Sequence, residues 1–358
     1  MLLVTGGSGH LGANLVRRLL VEGETVRALQ RPGSDNGGLD GLPIERVAGD
    51  LRDPAAVAAA VRGVDRIYHC AAKLSTVAGG EQEIFDCNVL GTRNLLRAAL
   101  AAGVRRVVVT SSLGAVGHTP TRPTDEEVPF YPFRHALPYE HTKVLVELET
   151  LRAVARGLDA VIATSCAIVG PNDFKPSRLG RTLVDFANGR LRAYIPGGFE
   201  FVTTHDLCEA HLQAMAKGRT GEKYILSSGY WTVDELMSCY AEVTGVGKPR
   251  LRLPAAVMLG FASVASPILS TLAPGFPQRL TPAAVRLLSL GRRADTGKAQ
   301  RELGFKPTSI QRAIEDAYAH FVQRGKIERP RRTVAFAQPS FPPRIVPASA
   351  RAGGSAEA

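Results

Sequence analysis

Tyr139 and Lys143 stand four residues apart in Pro138-Tyr139-Glu140-His141-Thr142-Lys143. On a helix that spacing puts two side chains on one face, so the ammonium would lie beside the phenol. A neighbouring positive charge favours phenolate and lowers the tyrosine's pKa from its reference of about 10. A phenol tuned in that way exchanges a proton with an alcohol or carbonyl oxygen near neutral pH. Such pairs also occur on ordinary solvated helix faces, and two further features give this one weight. Thr110-Ser111-Ser112 ends an apolar run in hydroxyls, and a serine there can hydrogen-bond the oxygen that Tyr139 protonates. The chain also opens with Thr5-Gly6-Gly7-Ser8-Gly9-His10-Leu11-Gly12.

Gly6, Gly9 and Gly12 form G-x-x-G-x-x-G between the apolar run Leu2–Thr5 and a helical pattern with Leu15, Val16, Leu19 and Leu20 on one face. Glycine lets the backbone turn tightly and approach a pyrophosphate, whose charge sits at the helix N-terminus. Ser8 and His10 can add hydrogen bonds to it. The choice of dinucleotide is read at the end of the second strand, where an acid would hold the ribose hydroxyls. Here Gln30 stands at that point and Arg31 follows it. With no carboxylate and a guanidinium suited to a 2′-phosphate, the sequence favours NADP(H) over NAD(H), although a solvated arginine would look the same. Asp50, in Gly49-Asp50-Leu51, ends the third strand, either accepting from an adenine amino group or capping a turn.

Short apolar segments alternate with helical ones: 25–30, 44–48, a helix after Pro54, 66–70, a helix near 88–102, 106–111, the helix carrying Tyr139 and Lys143, and 160–166. That alternation means βαβ units and a parallel sheet covered on both faces. Beyond about Gly170 the pattern loosens. Segments 180–189 and 205–217 read as helical, 192–195 and 222–226 as extended, and Thr232 with Glu235 forms a capping box opening a helix to Thr244. The boundaries expected are a nucleotide-binding domain over 1–170, a substrate lobe over 171–325 that returns in part to the first domain, and a disordered tail over 326–358.

With 358 residues and 45% hydrophobic content, the chain can bury one large core, or a core and a smaller lobe. Its five cysteines show no C-x-x-C spacing, which argues against a structural metal site and a disulfide framework and fits a reducing, cytoplasmic setting. The first strand begins at Met1, leaving no room for a leader peptide. The net charge of +11 invites a nucleic-acid reading, yet the arginines are dispersed and no basic run is interleaved with aromatics. No nucleic-acid partner is expected. Residues 255–273 carry no charge, about the length of a span, but contain Pro267, Gly260 and several hydroxyls. A buried helix or apolar pocket wall is the first reading there, and peripheral membrane contact the second.

Taken together, Thr5–Gly12, Gly49-Asp50-Leu51, His69-Cys70-Ala71-Ala72, Asn88–Asn94, Thr110–Gly117, Tyr139-x-x-x-Lys143 and Val169-Gly170-Pro171 resemble the extended short-chain dehydrogenase/reductase superfamily over roughly residues 1–325. The resemblance implies a doubly wound parallel Rossmann sheet with a smaller C-terminal substrate lobe. It selects Ser112 over Ser111 as the catalytic serine, makes Tyr139 the acid/base, and gives Lys143 the nicotinamide ribose. Cofactor contacts are expected from Gly6, Gly9, His10, Leu11, Gly12, Arg31, Asp50, Leu51, Ala71, Ala72, Tyr139 and Lys143. Gly170–Lys175, Gly180-Arg181 and Lys298–Phe305 look most like the dihydroflavonol-4-reductase-like branch of the NAD-dependent epimerase/dehydratase family. Two departures stand out: Ser165 occupies a position usually held by proline, and Phe199-Glu200 replaces an Arg-Asp pair common in nucleotide-sugar epimerases.

The expected activity is hydride transfer between a nicotinamide cofactor and a carbonyl or secondary alcohol on an apolar small molecule, as in dihydroflavonol reductases or 3β-hydroxysteroid dehydrogenases. The rivals are a nucleotide-sugar epimerase or dehydratase with tightly held NAD, against which the Phe199-Glu200 exchange argues, and a non-catalytic NADP-sensing regulator, against which the Tyr139–Lys143 pair argues. Paired helices make a homodimer common in this superfamily.

Overall fold

The structure, a computed structural model, describes residues 1–74, 80–119, 121–130, 137–254, 285 and 288–328. Six strands follow one another in the first half: β1 (Leu2–Thr5), β2 (Val26–Gln30), β3 (Glu45–Ala48), β4 (Arg66–His69), β5 (Arg106–Ser112) and β6 (Ala160–Ser165). With β10 (Lys223–Leu226) they form one seven-stranded sheet in the order β10-β6-β5-β4-β1-β2-β3, and every neighbouring pair is parallel. The strand order reverses beside β1, and in such sheets the crevice outside the carboxyl ends of the strands at that point receives ligands.

Side chains alternate across the sheet as extended backbone requires. Leu2 and Val4 pack on one face with Leu15 and Leu19 of α1 (His10–Val21), while Leu3, Ile67, Val107 and Val109 pack on the other. The second face is covered by α2 (Pro54–Val61), α4 (Gly91–Ala101) and α5 (Pro138–Val154). Between α3 (Glu81–Phe85) and α4 the chain makes one π-turn, Asp86–Leu90, where the sequence reads as the start of a plain helix. Such a turn widens the helix by one residue and is common at functional sites. On its outer side α5 leaves Leu145, Leu148 and Leu151 exposed.

After β6 come β7 (Ala167–Val169), α6 (Arg178–Ala187), β8 (Ala193–Tyr194) and β9 (Gly198–Thr203). The next helix, α7 (Thr204–Lys217), returns to the first face of the large sheet, where Leu207 and Cys208 join the core of β1 and α1. β10 then extends that sheet, and β11 (Gly229–Thr232) pairs antiparallel with β9. Thr232 and Glu235 form the expected capping box at the start of α8 (Val233–Thr244). Two helices close the described chain, α9 (Gly297–Leu303) against α7 and β10, and α10 (Ile310–Gln323) against α6 and α8. The smaller core holds Phe186, Phe201, Tyr240, Ile314, Tyr318 and Phe321.

The uncharged run 255–273 and the tail beyond Glu328 lie outside the described residues. Among the described residues no helix is long and apolar enough to cross a membrane.

Candidate active site

The crevice at the carboxyl ends of β1, β2 and β4 is a cleft of about 330 Å³. Its floor is the glycine-rich turn. Gly6 has φ +71°, and a Cβ there would meet the Ala71 backbone nitrogen at 2.6 Å; one on Gly12 would meet the Gly6 carbonyl oxygen at 2.1 Å. Glycine is therefore required for the turn to pass beneath the β4–α3 segment and for α1 to begin so close to β1. Gly9, the N-cap of α1, makes no side-chain cap, so the helix's first donors are left for a ligand. Arg31, Lys73 and Lys175 line the cleft, and the one acid among its lining residues, Asp50, takes a two-pronged ion pair from Arg52 at 3.0 and 2.7 Å. A bare backbone cradle, an uncapped helix start and a surplus of positive charge fit the diphosphate of a nicotinamide dinucleotide.

The catalytic candidates converge beside this cleft. Ser112, the last residue of β5, accepts a hydrogen bond from Gly114 N–H at 3.2 Å, and its hydroxyl bonds the phenol of Tyr139 in the first turn of α5. Burial pushes that phenol up to about 12; the Ser112 bond pulls it down in part, and the Glu140 carboxylate adds to the rise. Lys143 is 4% exposed, lies 6.0 Å from the Tyr139 ring centre and donates to the Thr110 carbonyl at 2.7 Å. Burial brings its ammonium down to about 8, against the pull of Cys70 and Glu147.

Behind these groups is a buried polar layer. The Glu147 carboxylate, one turn beyond Lys143, accepts from the Ser111 hydroxyl at 2.5 Å and from Lys223 Nζ of β10 at 2.7 Å. Asn88, inside the π-turn, accepts from Lys73 N–H and donates to the Lys73 carbonyl and to Thr142, tying the segment after β4 to α5. His69 bridges Thr5 and Thr92 at 2.7 and 2.8 Å, and burial holds its ring neutral, down to about 3.

The profile of the NAD dependent epimerase/dehydratase family matches residues 2–227. Sterol demethylase protein B of Methylococcus capsulatus is 46% identical over 325 residues, which cover 91% of this chain and 99% of that protein. The chain belongs to the NAD dependent epimerase/dehydratase family. The 3beta-hydroxysteroid-dehydrogenase/decarboxylase isoform 2 of Arabidopsis thaliana is 30% identical over 368 residues, with 91% of this chain and 63% of that one covered. The crystal structure of gox2253 superposes with a TM-score of 0.80 at 32% identity, covering 92% of this chain and 99% of that one. Membership brings with it a nicotinamide cofactor and the chemistry of an oxidoreductase.

Among the residues expected to meet the cofactor, Gly6, Gly9, Arg31, Asp50, Leu51, Ala71 and Ala72 line the family's cleft. His10, Leu11, Gly12, Tyr139 and Lys143 are not among its lining residues. The His10 ring points away, with Nε2 at 3.1 Å from the carbonyls of both Gly170 and Pro171; Leu11 is buried in the core and Gly12 is pressed against Gly6. These three can offer only backbone groups at the start of α1. The expected lowering of the Tyr139 pKa is reversed here, because desolvation outweighs an ammonium turned toward Thr110. Ser34, Asn36, Lys73 and Lys175 line the cleft without having been singled out as contacts. They are polar residues in irregular loops, where no periodicity marks them. The two departures have structural roles: Ser165 donates to the Ser111 carbonyl at 3.2 Å, and buried Glu200 accepts from Ala294 N–H and the Ser227 hydroxyl.

Proposed function

We propose that the protein transfers hydride between NADP(H), in preference to NAD(H), and a carbonyl or secondary alcohol of a largely apolar, sterol-like small molecule. The observation that carries this reading is the Ser112–Tyr139 pair beside the glycine cradle, with Lys143 one turn along the same helix. When bound, the nicotinamide supplies or accepts the hydride. Tyr139, protonated at neutral pH, is the donor to a carbonyl oxygen, and its conjugate base takes the proton back when an alcohol is oxidised. Ser112, already within hydrogen-bond reach of the phenol, holds the same oxygen and stabilises negative charge as it develops there. Lys143 holds the nicotinamide ribose and supplies fixed positive charge. Arg31, on the cleft wall past β2, supports the 2′-phosphate preference.

The substrate class draws on the relatives' names, sterol demethylase and 3beta-hydroxysteroid-dehydrogenase/decarboxylase. The first name speaks of carbon loss and the second pairs it with dehydrogenation, and simple chemistry connects the two. Oxidising a hydroxyl β to a carboxylate leaves a β-keto acid, which releases CO2 and keeps the bonding electrons as an enolate that takes up a proton. Buried Glu200, used internally, offers no clamp for a sugar diphosphate and supports the apolar reading. The exposed leucines of α5 are where the homodimer would form.

The test is to incubate purified protein with hydroxysterols, with and without a neighbouring carboxylate, with lipophilic ketones and with nucleotide sugars. Cofactor absorbance and evolved CO2 are both followed. Net cofactor reduction or oxidation with sterols or ketones supports the reading. Turnover confined to nucleotide sugars, with NAD retained and no net redox change, would replace it with the epimerase reading.

A further inference from the structure

The segment between β7 and α6 crosses from the smaller core back over the cofactor cleft, and it is fastened at several points. The carbonyls of Gly170 and Pro171 face His10 Nε2 at 3.1 Å each, and Asn14 donates to Pro171 at 2.9 Å. Asn172 donates to Asn14 in return, from a left-handed backbone with φ 60°. Phe174 is stacked between two guanidinium groups, Arg17 at 4.8 Å and Arg324 at 5.3 Å from its ring centre, with the His320 ring edge-on at 5.1 Å. A Cβ on Gly38 would lie 2.9 Å from the Phe174 ring, so the loop after β2 closes on the segment only because glycine stands there.

Those anchors aim the next side chain. Lys175 Nζ donates to the Ser8 hydroxyl of the glycine-rich turn and to the Asp35 carbonyl of the loop after β2, both at 2.9 Å. It lines the same cleft as Arg31, Ser34 and Asn36. An ammonium has three donors, and two are spent on neutral oxygens. Burial lowers the Lys175 pKa; the Asp35 carboxylate, which also accepts from Gly37 N–H, pulls it back up, and like-charge repulsion from Arg31 adds to the fall. Two cations, one from each side of Gly170, thus line the same cleft, together with the Ser34 hydroxyl and the Asn36 amide. An anion with several acceptor oxygens would relieve the repulsion.

We propose that Lys175, carried into the cleft by the 170–177 segment, is the second cation of the 2′-phosphate subsite and reads NADP(H) together with Arg31. The inference rests on the NADP(H) reading given above and adds a specificity residue from outside the β2 loop.

The experiment is equilibrium titration of the full chain with NADPH and NADH, followed by the cofactor's fluorescence, with 2′-AMP and 5′-AMP as competitors. Lys175→Gln should weaken NADPH and 2′-AMP by about tenfold or more, in the range of a lost charge-assisted hydrogen bond, and leave NADH and 5′-AMP within about twofold. Lys175→Arg should restore most of the preference, and Lys175→Gln with Arg31→Ala should abolish it. Parallel losses for both cofactors would make Lys175 a pyrophosphate or scaffold group and overturn the proposal; so would no loss at all. Retained NADH binding certifies that each variant is folded. A wild-type protein that binds NADH as tightly as NADPH would overturn the cofactor reading itself. A wild-type preference that survives unchanged in Lys175→Gln would overturn this inference alone.

Discussion

Ser111 and Ser112 are adjacent hydroxyls that reach two different residues of α5, Glu147 and Tyr139, which lie about 12 Å apart along the helix axis at 1.5 Å per residue. Replacing each by alanine should cost stability in both and catalysis in one. Ser111→Ala removes a short bond to a carboxylate that is 7% exposed and leaves Lys223 as its remaining partner. Bonds to charged groups are worth about 1.5–3 kcal/mol, and with Lys223 still in place the loss should fall near the lower end. Turnover should stay within a few-fold, because Ser111 does not touch Tyr139. Ser112→Ala gives up a long 3.2 Å bond from Gly114 and the bond to the Tyr139 phenol, so stability should fall by roughly 1–3 kcal/mol, much as in Ser111→Ala. Its turnover should fall by about 10²–10³, the range measured when one donor to a developing oxyanion is removed. Urea unfolding and single-turnover hydride transfer, run on both variants, read the two effects independently. If Ser111→Ala is the catalytically dead variant while Ser112→Ala turns over normally, the assignment of the site is wrong.

Three further outcomes can be checked in the same preparations. Tyr139→Phe should lose about 10²–10⁴ in turnover while cofactor affinity barely moves, and near-normal turnover would remove Tyr139 as the acid/base. Burial brings the Lys143 ammonium down to about 8, so cofactor affinity should decline on the alkaline side with a midpoint near that value. Glu147 raises the Lys143 pKa, so Glu147→Gln should move the decline to lower pH, and a limb that stays in place would refute the coupling. Burial lowers His69 to about 3 and His211 and His320 to about 4, so the unfolded chain binds their protons first as pH falls below about 6.5. Stability from these rings is full above that pH and lost on acidification, by roughly 2 kcal/mol per ring at pH 5, and an unfolding free energy equal at pH 7 and pH 5 would contradict it.

The alternation of strands and helices was legible because a strand buried on both faces must be apolar throughout, as Val107–Val109 and Val161–Ala163 are. The glycine turn was legible because its spacing answers to backbone geometry alone. The direction of the Tyr139 pKa was not, since it depends on how far the folded chain desolvates the phenol, and i, i+4 spacing is silent on that. The π-turn at Asp86–Leu90 left no mark either: it places Asn88 against Lys73 in the irregular segment after β4, a contact that no periodicity encodes. Nor did Lys175 announce itself, because one lysine in an irregular segment looks like any solvated lysine until Ser8 and Asp35 are placed beside it.

The part of the chain beyond residue 200 also holds the candidate site in place. Lys143 keeps its position because the Thr110 carbonyl accepts from it, and Thr110 is itself fixed by a 2.9 Å bond between its hydroxyl and His211 of α7. The Leu207 carbonyl takes the His211 Nδ1 proton at 2.7 Å, which leaves Nε2 as the acceptor for Thr110. Glu147 is paired with Lys223 of β10, and Arg292 donates to the carbonyl of Leu113, the residue after Ser112. Every one of these supports comes from beyond residue 200. Cutting the chain near Gly170 would therefore strip the sheet of an edge strand and of the part of its cover that α7 supplies, and would leave Lys143 buried with Glu147 lacking its cation. Burying an unpaired charge costs several kcal/mol, so the nucleotide-binding half should depend on the remainder for its stability as well as for its substrate.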